Sequence, residues 1–223
     1  MITWLAPDDP PERFPPHEAA LSDPPGLLAA GGDLRPERLV AAYARGIFPW
    51  YSPGQPVLWW SPDPREVLWP QEFRESRSLR RATRQRRFEL FEDRDFGAVI
   101  DACAAPRSRS PGTWITPEMR SAYCALHQRG LAHSYEIWSG EALVGGLYGV
   151  RLGAVFFGES MFSRQPDASK AALAGLVRRC PESGIELIDC QLPSAHLRSL
   201  GSRPIPRRQF LAFLAGRTQL RSA

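Results

Sequence analysis

The 223-residue chain lacks the patterns that mark a disulfide framework, a metal site or a membrane segment. Its four cysteines form no CxxC pair, and its four histidines show no HxxxH or HExxH spacing. No run of eighteen apolar residues occurs, and the first residues lack the basic and apolar regions of a signal peptide. We therefore expect a cytoplasmic protein with reduced thiols, no metal and no membrane partner.

Glycine-rich nucleotide motifs are also missing. Neither GxGxxG nor GxxxxGK[ST] occurs, which argues against a dinucleotide or a nucleoside triphosphate, and no GxSxG elbow indicates a serine hydrolase. Hydrophobic residues make up 43% of the chain and charged residues 23%, the proportions of an ordinary globular protein. The sequence therefore predicts a folded protein without a cofactor.

Lysine is almost absent, because Lys170 is the only one among 28 cationic residues. Seven arginines fall within residues 74–87, against Glu75 alone, for a local charge of +6. The spacing of four of them predicts one face of a helix: Arg77, Arg80, Arg81 and Arg84. Guanidinium groups bind phosphates well, so the pattern favours contact with a nucleic acid. A solvated basic face is the alternative.

Residues 46–65, GIFPWYSPGQPVLWWSPDPR, combine five prolines with three tryptophans and a tyrosine. Proline fixes φ and removes an amide donor, so this segment should be extended and should hold its rings rigidly. Such rings could form a platform for a nucleobase. The alternative is a proline-stiffened part of the core.

Periodicity divides the rest of the chain into helices and strands. The first 25 residues, with seven prolines, are predicted to form an irregular arm, and a helix is predicted from Pro36 to Gly46. After a helix that begins at Thr116, alternation predicts three antiparallel strands, then a helix from residue 167 or 169 to Gly184 and a strand at Ile185–Asp189. This order predicts an α+β fold, mainly antiparallel and flanked by helices, of the kind seen in GNAT-type acyltransferases.

Polar residues follow two of these strands. Glu159 comes after an apolar strand and a glycine, and Asp189 and Gln191 lie at positions i and i+2 of the next strand. If the strand is regular, Asp189 and Gln191 share a face, and Asp189 can accept a hydrogen bond from the Gln191 side-chain amide. Alternatively, the polar groups of Asp189 and Gln191 only form hydrogen bonds with a loop at the strand end. For Glu159 the alternatives are a helix cap or a buried anion.

Taken together, these segments resemble the leucyl/phenylalanyl-tRNA-protein transferase family. The shared segments include GLLAAGGDL, residues 46–65, GTWIT, LVGGLYG, FFGESMFS, ASKAAL, LIDCQ and HLRSLGS, in the family's order. The resemblance implies an aminoacyltransferase that moves leucine or phenylalanine, and less readily methionine, from aminoacyl-tRNA to the N-terminal arginine or lysine of a protein. The product would be an N-end rule degradation signal. A small N-terminal domain, residues 1–63, and a GNAT-like catalytic domain, residues 64–223, are also implied.

The resemblance further assigns roles to individual residues. It implies that Asp189 and Gln191 are catalytic, that Glu159 binds the acceptor, and that Trp50 and Trp114 bind the terminal adenosine. It implies an aminoacyl pocket formed by Leu147, Phe156, Met161, Leu176 and Ile188. Because the loop 164–169 lacks a glycine-bearing signature for coenzyme A, tRNA should be the only acyl donor.

Aminolysis of an ester needs a neutral amine aligned with the ester carbonyl carbon. Since an amide oxygen is a very weak base, we expect Gln191 to position the amine and Asp189 to orient Gln191. Base catalysis by Gln191 is the alternative mechanism. Two other classes of function fit parts of the pattern: a non-catalytic RNA-binding module and a CoA-dependent N-acetyltransferase.

Overall fold

The computed structural model describes residues 2–106 and 113–219. The first part of the chain forms a four-stranded sheet with one helix packed against it. Its elements are β1 (Thr3–Leu5), β2 (Leu27–Gly31), α1 (Pro36–Ala44), β3 (Phe48–Pro49) and β4 (Leu58–Trp60). The order in the sheet is β1-β2-β4-β3, with β1 parallel to β2 and the other pairs antiparallel.

The predicted irregular arm is only partly correct. Residues Thr3–Leu5 form β1, because they pair with Ala29–Gly31 of the apolar strand β2, whose residues are all buried. The Leu5 carbonyl also accepts a hydrogen bond from the Gly32 amide at 2.7 Å. Local proline content therefore did not prevent a strand whose partner lies 26 residues further along the chain.

The remainder of the chain forms a seven-stranded sheet with helices on both faces. Its elements are β5 (Arg65–Leu68), α2 (Arg77–Gln85), β6 (Glu89–Glu92), α3 (Phe96–Ala104), α4 (Pro117–Gln128), β7 (Ala132–Ser139), β8 (Ala142–Leu152), β9 (Val155–Ser163), α5 (Ala168–Ser183), β10 (Leu187–Gln191), α6 (Ala195–Ser199), β11 (Arg203–Ile205) and α7 (Arg207–Leu214). The order is β11-β5-β10-β9-β8-β7-β6.

This sheet confirms the predicted α+β fold class. Every neighbouring pair is antiparallel except β9 and β10, which run parallel because the helix α5 connects them. Helices α1, α3 and α4 cover one face, and α5 covers the other. The three strands predicted from alternation are β7, β8 and β9, while the short strands β5, β6 and β11 were not predicted.

Several predicted helix ends are confirmed. The Thr116 hydroxyl accepts a hydrogen bond from the Met119 amide at 3.2 Å, which makes Thr116 the N-cap of α4. Gly184 ends α5 with a φ of 73°, a conformation that glycine adopts without strain. In the described part of the chain, no helix has the length and apolar character needed to cross a membrane.

Two clusters of buried side chains lie on opposite faces of the large sheet. The larger cluster joins residues of the four-stranded sheet, such as Trp59, to Tyr123 of α4 and Phe210 of α7. The smaller one packs Leu147, Phe156 and Ile188 of the sheet against Leu173 and Leu176 of α5. The two parts of the chain therefore share one core, and the candidate site lies between the clusters, where the pairing of β9 with β10 ends.

Candidate active site

Two bulges bring Glu159 and Gln191 together. The last paired residues of β9 and β10 are Phe157 and Asp189, and each of the two polar residues lies two positions beyond this pair. The pairing of β9 with β8 shifts at Glu159, and that of β10 with β5 shifts between Asp189 and Gln191. Bulges redirect side chains out of the regular alternation. The Gln191 Nε2 atom consequently lies 2.8 Å from Glu159 Oε1.

Tyrosines from two helices complete the environment of the Glu159 carboxylate. The Tyr43 hydroxyl, on α1, donates to Oε1 at 2.7 Å, and the Tyr123 hydroxyl, on α4, donates to Oε2 at 2.7 Å. The two hydroxyl oxygens are themselves 2.6 Å apart. With the Gln191 amide, the carboxylate accepts three hydrogen bonds from the described residues, which leaves one of its four acceptor positions, on Oε2, for another donor.

Burial raises the pKa of Glu159 to about 7, although the hydrogen bonds from the two tyrosines and Gln191 act in the opposite direction. The nearby Asp189 charge raises this pKa further. Burial and the Glu159 charge also raise the pKa values of Tyr43 and Tyr123 well above their usual range, so both remain donors. The site thus contains one carboxyl group that gains and loses its proton near neutral pH.

Asp189 has a different partner from the one predicted. Its carboxylate forms a two-point ion pair with Arg65 of β5, at 2.8 Å to Nε and 2.6 Å to Nη2, and both side chains are fully buried. The Arg65 guanidinium lies between the rings of Phe48 and Phe210, 4.7 Å from each centroid. Asp189 Oδ1 accepts a hydrogen bond from the backbone amide of Gln191 at 2.9 Å.

The prediction that Asp189 accepts a hydrogen bond from the Gln191 side chain is therefore wrong. The predicted regular alternation fails for the same reason, since Gln191 has a φ of 62° and follows a bulge. A left-handed conformation is unfavourable for a residue with a long side chain. Asp189 holds the Gln191 backbone in that conformation, and Glu159 holds its side-chain amide.

A cavity of about 240 Å³ opens beside this network. All five residues of the predicted aminoacyl pocket line it, and so do the three polar residues predicted for chemistry: Leu147, Phe156, Met161, Leu176 and Ile188, with Glu159, Asp189 and Gln191. Its volume is below the range of about 300–1,000 Å³ that drug-sized ligands need. The cavity suits a single apolar side chain.

His196 of α6 also lines this cavity. Its Nε2 atom is buried and has no hydrogen-bond partner in residues 2–106 and 113–219. Burial lowers the pKa of His196, and the positive charge of Lys170 lowers it further. His196 is therefore neutral at neutral pH.

The two tryptophans predicted to bind adenosine do not line this cavity. Trp50 is 41% exposed and packs against Trp60, with ring centroids 5.6 Å apart, and Trp114 packs on the larger core cluster. Trp59, by contrast, is fully buried and donates to the Gly31 carbonyl at 2.9 Å. The proline-rich segment is thus part core and part exposed surface.

A wider cavity of about 600 Å³ beside Tyr51 contains none of the predicted site residues.

The arginine-rich segment forms the helix α2, as predicted. Leu79 is buried and anchors it, and the Ser76 hydroxyl caps it by accepting from the Leu79 amide at 3.0 Å. The four arginines predicted to share a face are exposed: Arg77, Arg80, Arg81 and Arg84. Arg80 forms a 3.4 Å ion pair with Glu75. The helix packs against α5, whose other side chains line the cavity.

Sequence reasoning missed three residues of the site: Tyr43, Tyr123 and Arg65. The two tyrosines occupy apolar positions of amphipathic helices, a pattern that predicts core residues, and no local pattern shows that their hydroxyls meet one carboxylate. Arg65 ends the proline-rich segment, 124 positions from its partner Asp189. The signal that could have found it is Asp189 itself, because an acidic residue in an apolar strand needs a cationic partner when it is buried.

One group of potential metal ligands lies away from the cavity. It consists of Glu92, Asp93 and His133. Both ring nitrogens of His133 already have partners, Asp93 at 2.6 Å and the Gly130 carbonyl at 3.2 Å. The hydrogen bond with Asp93, opposed by burial, raises the pKa of His133. This group is therefore explained as an ion pair between β7 and the segment after β6.

The α+β fold and the geometry of the site indicate the class of enzyme. An apolar cavity for one side chain, bordered by a carboxyl group that titrates near neutrality and by an oriented amide, is suited to the transfer of an apolar acyl or aminoacyl group. The family models for the leucyl/phenylalanyl-tRNA protein transferase and for its N-terminal domain match residues 67–215 and 32–63. The chain belongs to this family and is an aminoacyltransferase.

Curated relatives agree over nearly the whole length. The chain is 60% identical to the leucyl/phenylalanyl-tRNA–protein transferase of Pseudomonas putida (strain W619), over 96% of this chain and 94% of the relative. It is 59% identical to that of Azotobacter vinelandii and 58% identical to that of Pseudomonas aeruginosa PAO1, with the same coverage. The resemblance drawn from the sequence is confirmed, and aminoacyl-tRNA and a protein acceptor are the partners of this family.

Two solved structures match this chain at much lower sequence identity. A GCN5-related N-acetyltransferase from Kribbella flavida matches 71% of this chain and 56% of its own, with 12% identity and a TM-score of 0.40. The structure of L-PGS from Bacillus licheniformis matches 76% of this chain and 56% of its own, with 11% identity and a TM-score of 0.43. At these TM-scores neither likeness carries an argument about function.

Proposed function

We propose that the protein transfers leucine or phenylalanine, and less readily methionine, from aminoacyl-tRNA to the N-terminal arginine or lysine of an acceptor protein. The product would carry an N-end rule degradation signal, and the reaction would take place in the cytoplasm. The observation that supports this proposal best is the apolar cavity next to Glu159 and Gln191. It provides a place for the apolar side chain and a polar edge for the reacting ester.

The cavity would select the aminoacyl group by shape. Leu147, Phe156, Leu176 and Ile188 give it buried apolar walls, and Met161 is a flexible member of the lining. Against these apolar walls a charged side chain would lose its hydration and find no ion-pair partner, which disfavours charged amino acids at this end of the cavity. Leucine, phenylalanine and methionine differ mainly in shape, so we expect discrimination among them to be modest.

Gln191 would orient the attacking amine. Its Nε2 group donates to Glu159, which leaves its amide oxygen to accept a hydrogen bond from the α-amine of the acceptor. An α-amine has a pKa of about 7.7–8.0, so a fraction is neutral at cellular pH. The amine forms a bond to the ester carbon, the bond to the 3′ oxygen of tRNA breaks, and the proton lost by the amine ends on that oxygen. No net proton acceptor is required.

Glu159 would bind the cation of the acceptor. The unused acceptor position on its Oε2 can take one hydrogen bond from the ammonium or guanidinium group, and a nearby positive charge favours the ionised carboxyl. Asp189 would act on the reaction through the backbone of Gln191, with which it forms a hydrogen bond, and through its negative charge close to the developing ammonium.

The tRNA would lie across both parts of the chain. We propose phosphate contacts for Arg77, Arg80, Arg81 and Arg84, and adenosine contacts for Trp50 and Trp114. We also propose a domain boundary between residues 63 and 64. It lies between β4, the last strand of the four-stranded sheet along the chain, and β5, the first strand of the large sheet. Neutralising the arginines would then weaken tRNA binding without altering the cavity.

The experiment is a transfer assay with the full-length protein, an Arg-initiated peptide and tRNA charged with leucine, phenylalanine or methionine. Transfer of leucine and phenylalanine to the peptide α-amine, detected by mass spectrometry, is the expected result. A peptide that begins with an acidic residue and acetyl-CoA as acyl donor are the controls, and both should yield no product. Acetylation of the peptide, or absence of any transfer from the charged tRNAs, would contradict the proposal.

A further inference from the structure

A second cationic feature lies between the arginine helix α2 and the cavity. Arg86 follows α2 directly and donates to the Pro166 carbonyl just before α5, and its guanidinium is also 3.7 Å from Asp167. On the other side of Asp167, the Lys170 ammonium donates to Oδ1 at 2.9 Å. These contacts connect the basic end of α2 to the first turn of α5.

Lys170 lies one turn from the cavity wall. Leu173 and Leu176, three and six positions further along α5, both line the cavity, and Leu173 is the i+3 neighbour of Lys170 on the helix surface. The effect of Lys170 on the pKa of His196, which also lines the cavity, agrees with this placement. The Lys170 side chain is 35% exposed and can be reached from solvent.

The Lys170 ammonium has N–H donors that form no hydrogen bond with the described residues. It carries three N–H groups, and Asp167 Oδ1 is its only hydrogen-bond partner among the described residues. Two acidic residues pair with cations here: Asp167 is shared by Lys170 and Arg86, and Glu75 is shared by Arg80 and Arg178. Together with the other exposed arginines of α2, the surface retains an excess of positive charge.

We infer that Lys170 binds the phosphate on the 5′ side of the tRNA's terminal nucleoside, and that Arg86 and α2 continue this phosphate track away from the cavity. The inference rests on the proposed function, because it takes the esterified nucleoside to lie at the cavity mouth. A terminal nucleoside held there by its aminoacyl group has its 5′ phosphate as the nearest anion, and a compact ammonium one turn from the wall is placed to meet it.

Two unreactive probes that differ by one phosphate test this inference. They are 3′-deoxy-3′-(leucylamino)adenosine and the same compound with a 5′-phosphate, and their binding to the full-length protein is measured by calorimetry. We expect the unaltered protein to bind the phosphorylated probe roughly 5- to 10-fold more tightly, the order of one charge-assisted contact at a half-exposed site. Lys170→Gln should bind both probes equally well, with the affinity for the unphosphorylated probe unchanged.

Arg217→Gln is the matched control, because Arg217 is an exposed cation that pairs with Glu186 beyond the other end of α5. It should retain the preference of the unaltered protein. The inference is overturned if Lys170→Gln keeps that preference, if it weakens both probes equally, or if the unaltered protein shows no preference. Leucine transfer from Leu-tRNA by the unaltered protein separates the two proposals: transfer without a phosphate preference overturns only this inference, and absence of transfer overturns the proposed function as well.

Discussion

At the scale of single residues, the candidate site depends on how one carboxyl group is held. Glu159 is surrounded by two hydroxyl donors and one amide donor, and burial nevertheless keeps its pKa close to neutral. A carboxyl group in this state can exchange its proton at cellular pH without a large free-energy cost. It can therefore respond to an incoming cation by becoming fully ionised.

Glu159→Gln should remove one component of the pH dependence of stability. The pKa of about 7 in the folded protein exceeds the ordinary value of 4.5, so the folded state binds the proton more tightly and this group's stabilisation declines as pH rises from about 4.5 to 7. Between pH 5 and 8 the unaltered protein should lose on the order of 2 kcal/mol more unfolding free energy than the variant. Urea titrations at the two pH values measure this difference, and equal losses would contradict the raised pKa.

Gln191 offers a second test at this scale. Gln191→Asn keeps an amide and suits the left-handed backbone, but its side chain is one methylene too short to reach both Glu159 and the amine. We expect a fall of roughly 100-fold in kcat/KM with a normal melting temperature, the order expected when a reacting group loses its alignment. Gln191→Glu, compared at several pH values, is the companion variant. A rate that rises with the ionisation of the new carboxyl would indicate base catalysis instead of positioning.

At the scale of elements, α2 joins a buried anchor to an exposed charge. Leu79 and the Ser76 cap hold the helix in place, and its arginines make no contribution to the core. Most helical stability in proteins comes from tertiary packing of the apolar face, which Leu79 provides here. The charges of α2 can therefore be changed without loss of the fold, which makes the helix a suitable place to test nucleic-acid binding.

Replacing the four arginines of the α2 face with alanine should weaken tRNA binding and reduce its salt dependence. The slope of log K against log salt should fall by roughly 0.7–0.9 for each phosphate that the variant no longer neutralises. Alanine favours helices, so the circular dichroism spectrum should stay unchanged. Four exposed arginines elsewhere, replaced together, provide a charge-matched control: Arg13, Arg129, Arg203 and Arg217. An equal slope change in both variants would show that only net charge matters.

At the scale of the whole molecule, the Arg65–Asp189 ion pair connects three parts of the chain. Arg65 contacts Phe48 of the four-stranded sheet, Phe210 of the last long helix and Asp189 of the strand that carries the site. Breaking a fully buried pair leaves a charge without compensation, while replacing both partners with apolar residues often restores stability. The pair therefore allows stability and activity to be separated.

Arg65→Ala should destabilise the protein by about 3–5 kcal/mol, because Asp189 would remain buried without its cation. The double variant Arg65→Met, Asp189→Leu should recover most of that loss in chemical denaturation. Its transfer activity should stay low, since the Gln191 backbone would lose the acceptor that holds it. Recovery of full activity together with stability would show that Asp189 has only a structural role.

The sequence alone predicted much of this protein from local pattern. Alternation predicted β7, β8 and β9, helical spacing predicted the arginine face of α2, and a hydroxyl followed by proline predicted the start of α4. These features depend on residues within a few positions of each other, so periodicity and capping chemistry are enough to determine them. The family resemblance was also contained in the sequence, because its segments occur in a fixed order along the chain.

Only the tertiary structure decided how the site is assembled. Tyr43 and Tyr123 meet Glu159 across 116 and 36 positions, and Arg65 meets Asp189 across 124. The bulges of β9 and β10 turned the side-chain amide of Gln191 away from its expected partner, Asp189, and toward Glu159. Which donors surround a buried carboxylate depends on the packing of distant elements, and the free energy of that packing is not encoded in any short segment.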